Sequence, residues 1–167
     1  MSKTILSSLF AQKSWSNTQL FDVLAEADPS KHPVELQAAI RTLNHIYVVD
    51  SIFRSHLTGS KHDHKATNTE ETPDLGNLQF NVAETDLWFE KYLSDADLET
   101  LAENLSFTFT DGDAGRMSRE EMLFHVALHG AYHRGNVGQI LKNISVTPPR
   151  DLYTKFLHVT EPSRRRA

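Results

Sequence analysis

The chain has 167 residues, of which 39% are hydrophobic, and this is enough for one domain with its own core. Its formal net charge is −5, and three of its 17 basic residues are the arginines at 164–166, so the rest of the chain is more acidic still. An acidic body repels a phosphate backbone, which argues against nucleic-acid binding through a broad basic surface. The absence of cysteine excludes disulfide bonds, zinc ribbons and a cysteine nucleophile.

Neither targeting nor membrane insertion is indicated. The N-terminal stretch MSKTILSSLFAQKSW lacks the long apolar run and the small-residue cleavage site of a signal peptide. No run of about 18 consecutive apolar residues occurs, so no segment is expected to cross a bilayer. We expect a cytoplasmic protein without a membrane partner, with one domain at 1–160 and a basic, disordered tail at 161–167.

The first half of the chain predicts two long helices. Apolar residues recur at helical spacing from Thr4 to about Ala27, and DPSKHP then breaks the pattern with two prolines. A second helix fits residues 34–58. The polar segment at 58–77 is a long connection for a small domain, so it either crosses the bundle or forms part of a site.

The second half predicts two more long helices. The third begins between residues 79 and 83, and SDADLETLAENL after it fits either a continuation or a separate short turn. Residues 106–118 alternate and turn on Asp-Gly-Asp-Ala-Gly, which predicts a small β-hairpin. Ser118 and Glu121 then form a capping box for a fourth helix that runs to about Asn143, and RDLYTKFLHV predicts a short final helix. These patterns predict an all-α four-helix bundle with a small β-hairpin and a short C-terminal helix.

Three histidines lie four residues apart in HVALHGAYHRG, residues 125–135. Side chains four apart on a helix are about 6 Å apart along the axis and can converge, whereas those eight apart are separated by about 12 Å. A metal with bonds of about 2.1 Å to nitrogen cannot span the longer distance. The spacing allows either His125 with His129 or His129 with His133, and it leaves that choice open.

A catalytic metal site needs a further ligand, and His45 in NHIYVVD is the best candidate. It lies in the middle of the second helix on the stripe of Val49 and Ile52, so we expect it to point inward and to need a partner. Spacing alone is explained about as well by core or surface histidines that bind no metal. Weaker candidates lie in polar segments or near helix ends, namely His32, His56, His62, His64 and His158.

Four stretches together resemble the DinB superfamily of DinB/YfiT-like metalloenzymes. HVALHGAYHRGNVGQIL resembles its last long helix, where members often read H-x-x-x-H-R-G-Q followed by an apolar residue. LNHIYVVDSIFRSHL (43–57) resembles its second helix with a single histidine, and WSNTQLFDVL (15–24) resembles its first. FTDGDAGRMSREEMLFH is similar to the hairpin that leads into the last long helix. The likeness covers nearly the whole chain, in order.

This resemblance implies an up-up-down-down four-helix bundle, often dimeric, that holds a divalent metal ion with three histidines. Carried over by position, the ligands are His45, His129 and His133. His125 is then left one turn away, as a pocket-wall residue or one that orients a ligand. Asn136 departs from the family pattern, which often has glutamine there, so the glutamine's role is not carried over to it.

Three neutral nitrogen donors leave a coordination position open, as in catalytic sites. Zinc or nickel is the expected ion, and iron or copper also suits imidazole. A bound water or thiolate would attack an electrophile, and any thiol would be a low-molecular-weight cosubstrate because the chain has no cysteine. Some relatives are thiol-dependent transferases or isomerases and others are hydrolase-like, so we expect such a metal-dependent enzyme with a small-molecule substrate. The alternatives are a non-catalytic metal-binding or stress-response bundle, and a scaffold whose histidines bind nothing.

Other side chains have less specific assignments. Trp15 and Asn17 in the first helix are candidates for the pocket lining, with plain core packing an equal alternative for Trp15. His125 is a candidate general base, although a solvated or core histidine explains it at least as well. For Arg134 we favour packing and a surface ion pair.

The fourth helix also contains three glycines within nine residues, Gly130, Gly135 and Gly138. Each weakens a helix by up to about 1 kcal/mol relative to alanine. Their clustering predicts that another helix packs closely there, and a homodimer interface would supply one.

Overall fold

The structure, a computed structural model, describes residues 3–165 and is mainly helical. Within that range every helix is too short or too polar to span a lipid bilayer. Residues 162–165 of the predicted tail form a 3-10 helix, and residues 166–167 lie outside the described residues. In chain order the elements are α1 (Lys3–Glu26), α2 (Pro33–Thr58), α3 (Leu75–Asp95), α4 (Leu98–Ala102), β1 (Asn104–Thr108), β2 (Ala114–Ser118), α5 (Arg119–Asn143), α6 (Tyr153–Thr160) and the 3-10 helix (Pro162–Arg165).

Local side-chain bonds set the helix ends. The Ser118 hydroxyl accepts from the Glu121 amide, and the Glu121 carboxylate accepts from the Ser118 amide at 2.7 Å, which confirms the predicted capping box. Helix α3 begins at Leu75, earlier than predicted, because the Asp74 carboxylate accepts from the Asn77 amide at 3.0 Å and caps it. SDADLETLAENL holds a separate short helix, α4, rather than a continuation of α3.

The predicted β-hairpin is confirmed. Strands β1 and β2 pair antiparallel, with Asn104 opposite Ser118 at the open end. The connecting turn contains Gly112 at a φ of 97°, a backbone conformation that favours glycine. Phe107 lies over Gly115, where a Cβ would be 2.6 Å from the ring, so glycine allows this aromatic side chain to lie flat on its neighbouring strand.

The four long helices run up, down, down, up. One hydrophobic cluster joins the beginnings of α1 and α5 to the ends of α2 and α3, and a second cluster joins their opposite ends. The up-up-down-down order implied by the family resemblance is therefore wrong. The physical reason is the connection at 59–74, which carries the chain back along the bundle so that α3 runs parallel to α2.

A polar layer separates the two hydrophobic clusters. On α1 it lies between Phe10 of the first cluster and Leu20 of the second, and on the other long helices it occupies the corresponding middle positions. Helices α1 and α2 each pack against both α3 and α5, so side chains from all four helices meet there. The buried charged and amide groups of this layer are Lys13, Asn17, Asp50, Asp86 and Arg134.

Candidate metal centre

Three of the nine histidines converge beside the polar layer. His45 comes from α2, and His129 and His133 come from successive turns of α5. One nitrogen from each ring lies within 4.8 Å of the other two, and the Nε2 atoms of His45 and His129 are 3.0 Å apart. The structure therefore brings His129 and His133, rather than His125 and His129, together with His45.

The His45 ring is held in one orientation by the backbone. Its Nδ1 lies 2.6 Å from the carbonyl oxygen of Thr67, which accepts a hydrogen bond, so Nδ1 carries the proton. Its Nε2 then carries the lone pair and faces His129. A carbonyl that fixes the tautomer of an imidazole in this way is the usual support of a histidine metal ligand.

The electrostatic surroundings favour the neutral forms of His129 and His133. Burial, followed by the charges of His133 and His45, lowers the pKa of His129 to about 3. Burial and then His45 lower the pKa of His133. Neutral imidazole is the form that binds a metal ion, because the protonated ring has no lone pair to donate.

The separation of the His45 and His129 nitrogens fits a shared divalent ion. Two ligands with bonds of about 2.1 Å lie about 3.0 to 3.4 Å apart in octahedral or tetrahedral geometry, and the His45–His129 pair is at 3.0 Å. All three histidines are only partly buried, so the cluster is partly open to solvent. The arrangement therefore suits three protein ligands and an additional exchangeable one.

His125 lies beside the cluster but is not a member of it. Its ring stacks on His129 with centroids 5.5 Å apart and contacts Phe53 at 4.7 Å. The residue is otherwise exposed, and partial desolvation of the ring lowers its pKa. His125 therefore borders the histidine cluster, one helical turn from His129.

The two predicted pocket residues of α1 have other neighbours. Trp15 is partly buried against Phe156 of α6, with ring centroids 5.8 Å apart. Asn17 is buried, and its amide nitrogen donates to Asp86 at 2.7 Å while its oxygen accepts from Arg134 at 3.4 Å. In the described part of the chain, neither makes a hydrogen bond or ring contact with a histidine of the cluster.

A buried ion triad adjoins the histidines. The Lys13 ammonium lies 2.7 Å from Asp50 and also bonds Asp86. Burial lowers the pKa of Lys13, but the two carboxylates more than offset this and the pKa is raised. Burial raises the pKa of Asp50 to about 6 despite the opposing effect of Lys13. The single ammonium group of Lys13 therefore forms ion pairs with both carboxylates. Its positive charge also helps to lower the pKa of His129.

Arg134 packs in the interior and forms an ion pair with Asp151, as predicted, but the predicted surface location of that pair is wrong, because Arg134 is buried. Its side chain is 3% exposed, and Nε donates to Asp151 at 2.6 Å. The space for it comes from Gly130, where a Cβ would lie 3.0 Å from Arg134 Nη1 and 3.5 Å from Lys13 Cε. The cationic side chains of Lys13 and Arg134 thus both pack against Gly130, the residue that follows His129.

The other two glycines of α5 differ from each other. A Cβ at Gly138 would lie 3.6 Å from Pro148, in the segment that follows α5. A Cβ at Gly135 would have no other atom of the described residues within 4 Å, apart from its own helix backbone and chain neighbours. Close packing within the chain therefore accounts for Gly130 alone, because a Cβ at Gly138 would make an ordinary van der Waals contact, and the predicted homodimer interface stays a prediction.

Sequence reasoning missed Lys13, Asp50 and Asp86, although a signal was present. Lys13 follows Phe10 by three residues, and Asp86 precedes Phe89 by three, so each occupies a position on an apolar helical stripe. Asp50 lies within the apolar stripe of α2 in the same way. A charge at such a position indicates a buried partner on another helix.

The chain is similar to known proteins over nearly its whole length. The model that describes the DinB family matches residues 1–165 of the chain. The protein named Protein DinB from Bacillus subtilis (strain 168) is 22% identical over 169 residues, which cover 93% of this chain and 95% of that protein. Both matches include the two helices that carry the histidine cluster.

Proposed function

The chain belongs to the DinB family, and we propose that it binds a divalent metal ion through His45, His129 and His133 and acts as a metal-dependent enzyme on a small molecule. The observation that supports this most directly is the convergence of three imidazole nitrogens within 4.8 Å from two different helices. Zinc or nickel is the ion we propose, and iron or copper would also suit the ligands.

An ion with three imidazole ligands would retain a position for water or a thiol, whose pKa it would lower. The chain's own residues supply the framework for this chemistry. The Thr67 carbonyl orients the His45 ring, and Asp50 and Asp86 hold the Lys13 ammonium, which limits its repulsion of a cation nearby. His125 flanks the cluster, where it would contact a substrate.

The proposed reaction class rests on the chemistry of some DinB relatives and on the open position that a three-histidine ion would have. We propose a small-molecule thiol transferase or isomerase, or a hydrolase, for which an ion held by His45, His129 and His133 would supply a thiol or water of lowered pKa as the nucleophile. The thiol of the first type would be a low-molecular-weight cosubstrate, because the chain has no cysteine. The cytoplasmic location and the homodimer stay predictions.

The metal ion is tested by elemental analysis of protein purified without a histidine tag. We expect the wild type to retain metal and His129→Ala to lose the ion held by the cluster, since the central ligand is gone. His158→Ala is the matched control, because His158 is an exposed histidine of α6. Metal retention by His129→Ala equal to that of the wild type would contradict the proposed ligands.

Catalysis needs a separate experiment. The metal-loaded protein is incubated with low-molecular-weight thiols plus epoxides or maleyl-type electrophiles, and with esters, and product is measured against the metal-free protein and His133→Ala. Turnover that requires both the ion and His133 supports the enzyme. A loaded protein that converts none of these compounds would favour the non-catalytic metal-binding bundle.

A further inference from the structure

Three histidines outside the proposed metal centre gather where α2 ends. His56 lies in the last turn of α2, and His62 and His64 lie in the connection that follows it. Ring centroids are 5.4 Å apart for His56 and His62, and 6.0 Å apart for His62 and His64. The proposed function makes no use of these three side chains.

The chain reaches this arrangement through a sharp helix end. Gly59 has a φ of 67° and donates its amide to the His56 carbonyl, and the Ser60 amide donates to the Ser55 carbonyl at 3.0 Å. This cap turns the chain back, so that the following residues pass beside the helix they have just left. Residues 60–64 have no regular secondary structure, and His62 from this segment lies against His56.

Aromatic side chains support His56 from the other side. Its ring lies 4.7 Å from Phe107 of the hairpin at an interplanar angle of 34°, and 5.8 Å from Phe53, one turn earlier on α2. Phe107 is itself seated over Gly115. His56 is therefore held in a partly buried position, while His62 and His64 approach from a more adaptable segment.

We propose that His56, His62 and His64 form a second site for a divalent transition-metal ion. The Nδ1 atom of His62 is buried and has no hydrogen-bond partner among the described residues, a deficit that a bound cation would remove. Imidazole is a preferred ligand of zinc, nickel and copper. This inference goes beyond the proposed function, because the first cluster can hold an ion without it.

Burial and neighbouring charges act on the two outer histidines of this cluster. Burial lowers the pKa of His56 and of His64, and the nearby charge of His62 lowers both further. Asp63, between the two loop histidines, partly opposes the lowering at His64 and adds negative charge beside the site.

The second cluster differs from the first in its spacing. Its ring centroids are 5.4 and 6.0 Å apart, against 4.5 to 4.8 Å in the first cluster. An ion bound here would draw the segment at 60–64 towards His56, because its ligands must come closer together. We therefore expect weaker binding here than at the first cluster, together with ordering of this segment.

Equilibrium dialysis of the tag-free, full-length protein against zinc, followed by elemental analysis, tests the second site. We expect the wild type and the His158→Ala control to bind about two ions per chain. The double variant His62→Ala/His64→Ala should bind about one, and His129→Ala should also bind about one. Combining all three substitutions should abolish specific binding. Both loop positions are only partly buried, so the fold is expected to persist, and circular dichroism checks this.

The double variant decides the proposal. Zinc binding by His62→Ala/His64→Ala with the stoichiometry and affinities of the wild type would overturn the second site, whatever the result at the first. Loss of the ion from His129→Ala while the loop variant behaves like the wild type would leave only the first site. Protection of residues 60–64 from proteolysis on zinc addition, lost in the double variant, would support the expected ordering.

Discussion

At the scale of single residues, Lys13 provides the positive charge that pairs with two buried carboxylates at the centre of the bundle. Its side chain is 1% exposed and touches Asp50 and Asp86. We predict that Lys13→Met lowers the free energy of unfolding by about 3 to 5 kcal/mol, because it leaves two buried carboxylates without their cation. Urea unfolding measures the loss, with Lys91→Met as the control, since the Lys91–Asp95 pair is exposed. A loss below about 1 kcal/mol would mean that the triad is replaceable by apolar packing.

Asp50 gives the centre a pH dependence with a definite sign. Burial raises its pKa from 3.8 to about 6 in the folded chain. Between these values the folded state binds more protons than the unfolded state, so its contribution to the free energy of unfolding falls as the pH rises through this window. Relative to Asp50→Asn, the wild type should lose stability from about pH 4 to about pH 6 and then level off. A wild-type advantage that grows over that range would show that Lys13 lowers the pKa instead.

At the scale of elements, the connection at 59–74 acts as a support for the histidine cluster. Asn44 of α2 donates to the side chains of Asn68 at 2.5 Å and Thr69 at 2.6 Å, which fixes the backbone beside Thr67. The Thr67 carbonyl in turn holds the His45 ring. This connection is long because it returns the chain along the bundle and also orients the His45 ring.

Removing that support should weaken metal binding while leaving the ligands intact. We predict that Asn44→Ala reduces zinc affinity about 10- to 100-fold, the usual range for groups that orient a ligand. Competition with a chromophoric chelator measures the affinity. Gln37→Ala is the matched control, because Gln37 bonds Thr72 of the same connection at 3.3 Å but lies away from Thr67. Equal affinities for the Asn44 and Gln37 variants would contradict the support role.

The bounds of helices were predicted well from the sequence where a short run of neighbouring residues determines them. The capping box at Ser118 and Glu121 needs four residues in a row, and it placed the start of α5 correctly. The start of α3 was missed because Gly76 in PDLGN favours a loop, whereas the Asp74 cap overrides it. The convergence of the histidines followed from the family resemblance, since spacing alone left two pairs open.

At the scale of the whole molecule, sequence periodicity marks the charges of the polar layer as buried but does not say which charges pair. Lys13, Asp50 and Asp86 come from three helices, and their pairing depends on helix directions that the resemblance gave incorrectly. In the up-down-down-up order α1 runs antiparallel to both α2 and α3, which brings the middles of all three helices together. Charges that lie on the apolar stripes of three separate helices become each other's partners only in this arrangement.

Metal binding should stabilise the entire bundle, because the proposed ligands join α2 to α5 across this layer. With free zinc at 100 times the dissociation constant, we predict a gain of about 2.7 kcal/mol in the free energy of unfolding. Urea unfolding with zinc and with a chelator measures the gain. The His133→Ala variant should lose most of this gain, because only two of the three ligands remain. The His158→Ala variant should retain the gain, because His158 is exposed and lies outside the cluster. An equal gain in both variants would place the stabilising ion elsewhere, and the second histidine cluster would then be the first position to test.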